Sequence, residues 1–150
     1  MKKIGIIIPT FNRKDCLRTL LQMLEAQQRE GFEYLVVVSN DGSTDGTDTM
    51  LSEEFPEVIQ VKGSGNWWYT RSINEGMSEL LRRNTDYVLT LNDDIEIKSN
   101  YLQAIFDAAR SFQEPVVIGS LSVTSDEPAR ITFSGLKKVI WWRSKQFHYH

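Results

Sequence analysis

The chain has 150 residues, 41% hydrophobic and 25% charged, a size and balance that fit one globular domain and exclude a disordered chain. A net charge of −3 and a pI near 5.4 exclude the broad basic surface that a nucleic-acid partner needs, but still allow a local basic pocket for a phosphorylated small molecule. The single cysteine, Cys16, permits no internal disulfide and suits a reducing cytoplasm. Lys2-Lys3 followed by Ile4 to Ile8 mimics the start of a signal peptide, yet Pro9, Asn12 and Arg13 end the apolar stretch too early. No segment approaches the ~20 apolar residues of a spanning helix, so the expectation is a cytoplasmic protein, with any membrane association peripheral, at the inner face.

The β-branched run Ile4-Gly5-Ile6-Ile7-Ile8, closed by Pro9, predicts a first strand, and Leu17, Leu20, Leu21 and Leu24 predict a helix from about Asp15 to Arg29. Tyr34 to Val38 predicts a second strand, which leads through Ser39-Asn40-Asp41-Gly42-Ser43-Thr44-Asp45-Gly46 into a helix over Thr47 to Glu54. A third strand at Val58 to Val61 is followed by the loop Lys62 to Asn66, with Trp67-Trp68-Tyr69 still in the loop, and by a helix over Thr70 to Arg83. Tyr87-Val88-Leu89-Thr90-Leu91 is the fourth strand, and it ends in Asn92-Asp93-Asp94. An amphipathic helix marked by Tyr101, Ile105, Ala108 and Ala109 follows, then a buried strand at Pro115 to Gly119. Beyond Ser122 the rhythm fails: Ile131 to Phe133 and Val139 to Trp142 read as strands without a predicted topology.

Strands that are apolar along their whole length and alternate with helices predict a three-layer α/β/α fold around a mostly parallel sheet. In such folds ligands bind outside the carboxyl ends of the strands, where the loops starting at Pro9, Ser39, Gly63 and Asn92 should meet.

The adjacent carboxylates of Asp93 and Asp94 repel each other unless a cation or hydrogen-bond donors compensate, and Mg²⁺ or Mn²⁺ needs only one or two carboxylates beside water and substrate phosphates. The alternative, a helix N-terminus, fits less well because the next helix begins nearer Ser99. Asn40 to Gly46 reads by itself as a turn capped by Asp45 or Thr44, from which Asp41 can also reach a ligand. Gly63-Ser64-Gly65-Asn66 matches neither phosphate-loop pattern, and Arg71 either clamps a diphosphate or lies on a solvated face. Of Trp67 and Trp68, at least one should pack beneath the loop; an exposed one is placed to stack on a base or sugar. Trp141-Trp142 invites the same two readings, and His148 with His150 more simply shares a strand face than ligates a metal. No Ser/His/Asp or Cys/His arrangement emerges.

Taken together, Ile6 to Arg13 (with Pro9-Thr10-Phe11-Asn12), Val36 to Thr47 around Asp41, Gly65-Asn66 with Arg71 and Asn74, and Leu91-Asn92-Asp93-Asp94 resemble the family 2 glycosyltransferases of GT-A fold, in order and spacing, over about residues 4–120. The resemblance implies one domain over 1–150, with residues 121–150 starting an acceptor-side region. It also implies a nucleotide-diphospho-sugar donor, a saccharide or lipid-linked acceptor, a divalent metal (Mg²⁺ or Mn²⁺), inversion at the anomeric carbon and a role in cell-surface polysaccharide synthesis. By the same resemblance Pro9, Thr10, Phe11 and Asn12 touch base and ribose, and Asp41 accepts a hydrogen bond from the base. Asn66 and Arg71 lie near the donor, Asn92-Asp93-Asp94 takes the place of the D-x-D motif with Asp93 near the ribose or donor sugar, and Asp94 is the metal ligand.

The chain departs from the family pattern where Asn40 and Asn92 replace aspartates and where Trp68 and Thr70 replace small residues. It also reaches no position for the downstream carboxylate that serves as general base, because Asp126 and Glu127 come too early, so no catalytic base is assigned. That leaves two readings: a glycosyltransferase, or a nucleotide-sugar-binding module without transfer activity by itself. A sugar nucleotidyltransferase would want glycines in the Pro9 to Arg13 loop, and a receiver-like phosphatase would want an aspartate where Pro9 stands.

Overall fold

The computed structural model describes every residue except 114, 127–128, 134–135, 141–144 and 149–150, and for 133, 136–140 and 145–148 it describes the backbone alone. The readings made for Glu127, Trp141, Trp142 and His150 therefore lie outside the described residues. The chain forms two compact units, Met1–Phe106 and Asp107–His150.

In the first unit, β1 (Lys2–Thr10), α1 (Lys14–Glu25), β2 (Phe32–Asn40), α2 (Thr47–Glu54), β3 (Ile59–Lys62), α3 (Trp68–Arg82) and β4 (Tyr87–Thr90) alternate as the apolar runs predict, and α4 (Tyr101–Arg110) begins at the unit's end. All four strands are parallel, in the order β3-β2-β1-β4. Ile6 of β1 lies opposite Val36 of β2 on one side and Leu89 of β4 on the other, so β1, like β2, is an interior strand of the sheet.

Alternation along β1 divides the core between the two faces of the sheet. Ile4, Ile6 and Ile8 pack with Leu17, Leu20, Leu21 and Leu24 of α1, Met50 and Leu51 of α2, and Leu102 and Phe106 of α4. Ile7 and Val37 face the other way, onto Leu80, Ile73 and Met77 of α3. Two glycines let α3 lie close: a Cβ on Gly5 would stand 2.6 Å from a Leu80 methyl, and one on Gly76 would stand 2.6 Å from Cγ2 of Ile7. Because α1 and α3 cover opposite faces, the chain reverses direction across the sheet between β1 and β4, and a crevice opens at the carboxyl ends of those strands.

Beyond shifts of one or two residues at strand ends, three features differ from the sequence reading. α1 stops at Glu25 rather than Arg29, because Gln27 turns its side chain to the start of α4, donating to the Lys98 carbonyl at 2.8 Å and accepting from the Leu102 N–H at 3.0 Å. α3 starts at Trp68, so Trp68 and Tyr69 belong to its first turn and not to a loop; the carboxylate of Asp41 caps that turn by accepting the N–H groups of Trp67 and Trp68.

The third correction is Pro115 to Gly119, which is not a strand. None of the described strands pairs with it and Val117 is fully exposed, so this apolar run lacks the ladder that makes a strand. The second unit instead holds β5 (Ser122–Val123) paired antiparallel with β6 (Ile131–Phe133), and β7 (Leu136–Ile140) paired antiparallel with β8 (Lys145–His148).

Candidate functional site: a cleft at the carboxyl edge of the sheet

Four segments far apart in sequence line one cleft of about 570 Å³ at the carboxyl ends of the strands. The end of β1 and its loop contribute Pro9, Thr10, Phe11 and Arg13, and the end of β2 contributes Asp41. Gly65 and the first turn of α3, through Trp68, Tyr69 and Ser72, form a further wall, and Asn92, Asp93 and Asp94 close the site beyond β4.

The acid pair is wired to the β1 loop. Asp93, only 6% exposed, accepts the Thr10 hydroxyl on Oδ2 at 2.8 Å and the Arg13 Nη1 on Oδ1 at 3.2 Å. The same Arg13 nitrogen donates to Oδ2 of Asp94 at 2.6 Å. Hydrogen bonds to Asp94 first, and then to Asp93, raise the guanidinium's pKa above its ordinary value. Asp94 is half exposed, and among the described residues its Oδ1 has no hydrogen-bond partner.

Asp41 is held just as firmly on the opposite wall. Its Oδ1 accepts the Gly65 N–H at 2.8 Å, and its Oδ2 accepts those of Trp67 at 2.7 Å and Trp68 at 3.1 Å. This fastens the glycine loop over the β2 end and sets the start of α3, where Trp68 takes a φ of 56°, a left-handed conformation that bulky residues avoid. Trp68 is 82% exposed at the rim, whereas Trp67 packs against Gly63 beneath the Arg71 guanidinium, 5.2 Å from its ring centre. One tryptophan thus packs and the other projects.

The remaining loop residues brace the cleft from behind. Asn12, at a φ of 53°, donates its N–H to the Ser43 hydroxyl at 2.9 Å and accepts the Thr44 N–H on Oδ1 at 2.7 Å. Asp45 accepts the Lys14 N–H at 2.8 Å and both the N–H and hydroxyl of Thr47, so one carboxylate serves the first turns of α1 and α2 together. Burial works against its charged form, but the Thr47 hydroxyl and the Lys14 and Thr47 amides outweigh that and hold its pKa below the usual carboxylate range.

Of the site residues expected from sequence, Pro9, Thr10, Phe11, Asp41, Asn92, Asp93 and Asp94 line the cleft, whereas Asn12, Asn66 and Arg71 do not. Asn12 is spent on the Thr44 backbone, Asn66 accepts the Ser64 hydroxyl at 2.8 Å, and Arg71 pairs with Glu75 at 3.5 Å on the solvated side of α3. Tyr69, one of the loop aromatics, also lines the cleft, as do Arg13 and Ser72, to which the sequence pattern assigns no role. The helical spacing of Trp68 and Ser72 would have pointed to that wall had α3 been started two residues earlier.

The donor set fits a divalent cation of the oxygen-seeking kind. Asp94 can offer a carboxylate oxygen into the cleft, and the described residues hold no cluster of three or more His, Cys, Asp or Glu, so the other coordination positions would fall to water or to a ligand's phosphates.

The family model for glycosyl transferase family 2 matches residues 5–149. The chain belongs to that family. It is 30% identical over 101 residues to the undecaprenyl-phosphate 4-deoxy-4-formamido-L-arabinose transferase of Klebsiella pneumoniae subsp. pneumoniae, an alignment covering 64% of this chain and 30% of that protein. Among solved structures, S. aureus TarS 1-349 in complex with UDP superposes with a TM-score of 0.61 at 20% identity, covering 82% of this chain and 40% of the other. The mannosyltransferase PcManGT of Pyrobaculum calidifontis, in complex with GDP-Man and Mn²⁺, superposes with a TM-score of 0.54 at 23% identity, covering 76% and 33%. The fold of this family 2 chain is accordingly the α/β GT-A type with a parallel central sheet. The chain spans well under half the length of the most similar curated relatives, 30% of the Klebsiella transferase and 38% of the S. aureus poly(ribitol-phosphate) β-N-acetylglucosaminyltransferase TarP. No helix among the described residues is long and apolar enough to cross a membrane.

Proposed function

We propose that the cleft binds a nucleotide-diphospho-sugar and that the chain is the donor-binding part of a glycosyltransferase acting on a saccharide or lipid-linked hydroxyl. The observation that carries this reading is the convergence of Pro9 to Arg13, Asp41, Gly65 to Ser72 and Asn92 to Asp94 on one cleft in a family 2 chain. The UDP and GDP-Man of the two structural neighbours, and the undecaprenyl phosphate of the Klebsiella relative, support the substrate classes. The same reading extends to work at the cytoplasmic face of a membrane in cell-surface polysaccharide synthesis, which the undecaprenyl phosphate in the Klebsiella relative's name supports only as far as a lipid-linked substrate.

In this reading Phe11 and Pro9 form the apolar seat for base and ribose, and Thr10 orients Asp93 toward the donor. Asp94 presents the carboxylate oxygen for Mg²⁺ or Mn²⁺. A bound divalent cation supplies electrophilic stabilisation of the departing nucleoside diphosphate, on which negative charge grows as the glycosidic bond breaks. Arg13, with its guanidinium in the same cleft, adds a second positive group. Inversion at the anomeric carbon requires a base for the acceptor hydroxyl.

One observation favours the second reading, a donor-binding module that does not transfer by itself. Among the described residues the carboxylates lining the cleft are Asp41, Asp93 and Asp94, and each already accepts hydrogen bonds from Gly65, Trp67, Trp68, Thr10 or Arg13. The base is therefore assigned to residues outside this cleft wall.

Calorimetric titration with UDP, TDP and GDP, with and without Mn²⁺, tests the reading. One of them should bind in a metal-dependent way, and Asp94→Ala should weaken it by at least about 1 kcal/mol, the scale of one charge-assisted contact. Equal affinity in the variant removes the metal role from Asp94. Binding without turnover of the matching sugar nucleotide selects the module over the complete transferase.

A further inference from the structure

The acid pair already has a cation, and it belongs to the protein. Nη1 of Arg13 stands between the carboxylates, 2.6 Å from Oδ2 of Asp94 and 3.2 Å from Oδ1 of Asp93. Thr10 occupies the other oxygen of Asp93, so this buried carboxylate cannot turn away to present a second face. Two positive groups cannot share so small a niche without strong repulsion. Conversely, a bare pair of adjacent carboxylates, one of them buried, would be left uncompensated. The backbone of Arg13 is anchored, since its carbonyl accepts the Leu17 N–H at 3.0 Å, but its side chain is half exposed and borders the cleft, leaving it somewhere to go.

We propose that Arg13 is a positioning residue, the resident counter-cation of Asp93 and Asp94, and that a divalent cation binds by displacing its guanidinium into the cleft, toward the donor's diphosphate. The proposal rests on the donor-site reading above for what the displaced guanidinium meets. Its consequence is coupling. A nucleoside diphosphate offers oxygens both to the cation and to the released guanidinium, so metal and nucleotide each strengthen the binding of the other by the same factor. Without nucleotide, Arg13 competes with the metal and keeps its affinity low.

Free Mn²⁺, followed by its electron paramagnetic resonance signal, measures metal binding to the full chain with and without UDP. Arg13→Gln should tighten nucleotide-free Mn²⁺ binding about three- to tenfold, the scale of the ion pairs removed. It should also reduce the enhancement of Mn²⁺ binding by UDP to less than half its wild-type value. Arg13→Lys keeps a competing charge and should stay near wild type. Unchanged or weaker Mn²⁺ binding in Arg13→Gln overturns the proposal.

A measurement on the unaltered protein covers the case in which that variant does not fold. Titration with Mg²⁺ should shift the Arg13 Nε–H nuclear resonance and speed its exchange with water as the guanidinium leaves the carboxylates; an unmoved resonance at saturating Mg²⁺ overturns displacement. The two readings fail separately. A wild-type chain that binds no nucleoside diphosphate while Arg13→Gln gains Mn²⁺ affinity sinks the donor site and sustains displacement, whereas nucleotide binding without that gain does the reverse.

Discussion

Three carboxylates of the cleft region show how much of a loop's shape rests on single side chains. Asp41 accepts three backbone N–H groups from the glycine loop and the start of α3. Its replacement by alanine strands those donors, and the expected cost is about 2–3 kcal/mol, with faster amide exchange at Gly65, Trp67 and Trp68 as the measurement that checks it. Asp45 carries a pH dependence whose sign follows from its neighbours. Its pKa is lower folded than unfolded, so its contribution is complete above the unfolded value of about 4 and disappears as pH falls through the lower folded value. Asp45→Asn should therefore destabilise by about 1 kcal/mol near neutrality, the scale of a lost helix cap, and the gap to wild type should close in acid; urea unfolding across that range reads it. Asp93 was legible as a residue of the carboxyl edge from its place after an apolar run, although β4 itself is a half-exposed edge strand rather than a buried one. Its partner Arg13 was not, because a contact across 80 residues leaves no local trace.

At the scale of elements, α3 decides the shape of the cleft. It approaches the sheet closely because Gly5 and Gly76 carry no side chain where Leu80 and Ile7 pack. Gly76→Ala puts a methyl against the β-branched Ile7 and the buried Ser39 hydroxyl and should cost about 1–3 kcal/mol, read as a lower unfolding midpoint with an unchanged denaturant slope. The position of β1 to β4 and α1 to α4 could be read from hydrophobic period alone, since burial on one or both faces writes itself into local sequence. Both ends of α2 were read as they stand, but helix ends set by distant side chains could not be. The N-terminus of α3 depends on a carboxylate from the β2 loop, and the C-terminus of α1 depends on what Gln27 meets at the start of α4. Pro115 to Gly119 shows the same limit for strands: an apolar run states that a segment can be buried, and only a partner strand makes it a ladder.

For the whole molecule, the order β3-β2-β1-β4 carries the functional argument, because it places the carboxyl ends of β1 and β4 side by side at the reversal of the sheet. Every residue lining the cleft comes from the Met1–Phe106 unit. A chain ended after Gln113 is therefore expected to keep a cooperative thermal transition and, under the proposed function, its affinity for a nucleoside diphosphate within about twofold, the spread between independent sites. Loss of that affinity in a folded fragment would place part of the donor site beyond residue 113.

The sequence by itself determined the alternation of apolar strands and amphipathic helices, the parallel α/β class, the family, and the polar loops in which site residues had to be sought. These follow from burial and turn chemistry, which act within a few residues along the chain. Only the tertiary structure decided which polar side chains face the cleft and which are consumed in holding it: Asn12 braces the Thr44 backbone, Arg71 covers Trp67, and Arg13 neutralises the acid pair. A hydrogen bond or ion pair depends on where two distant strand ends meet in space, and residue type alone does not specify that.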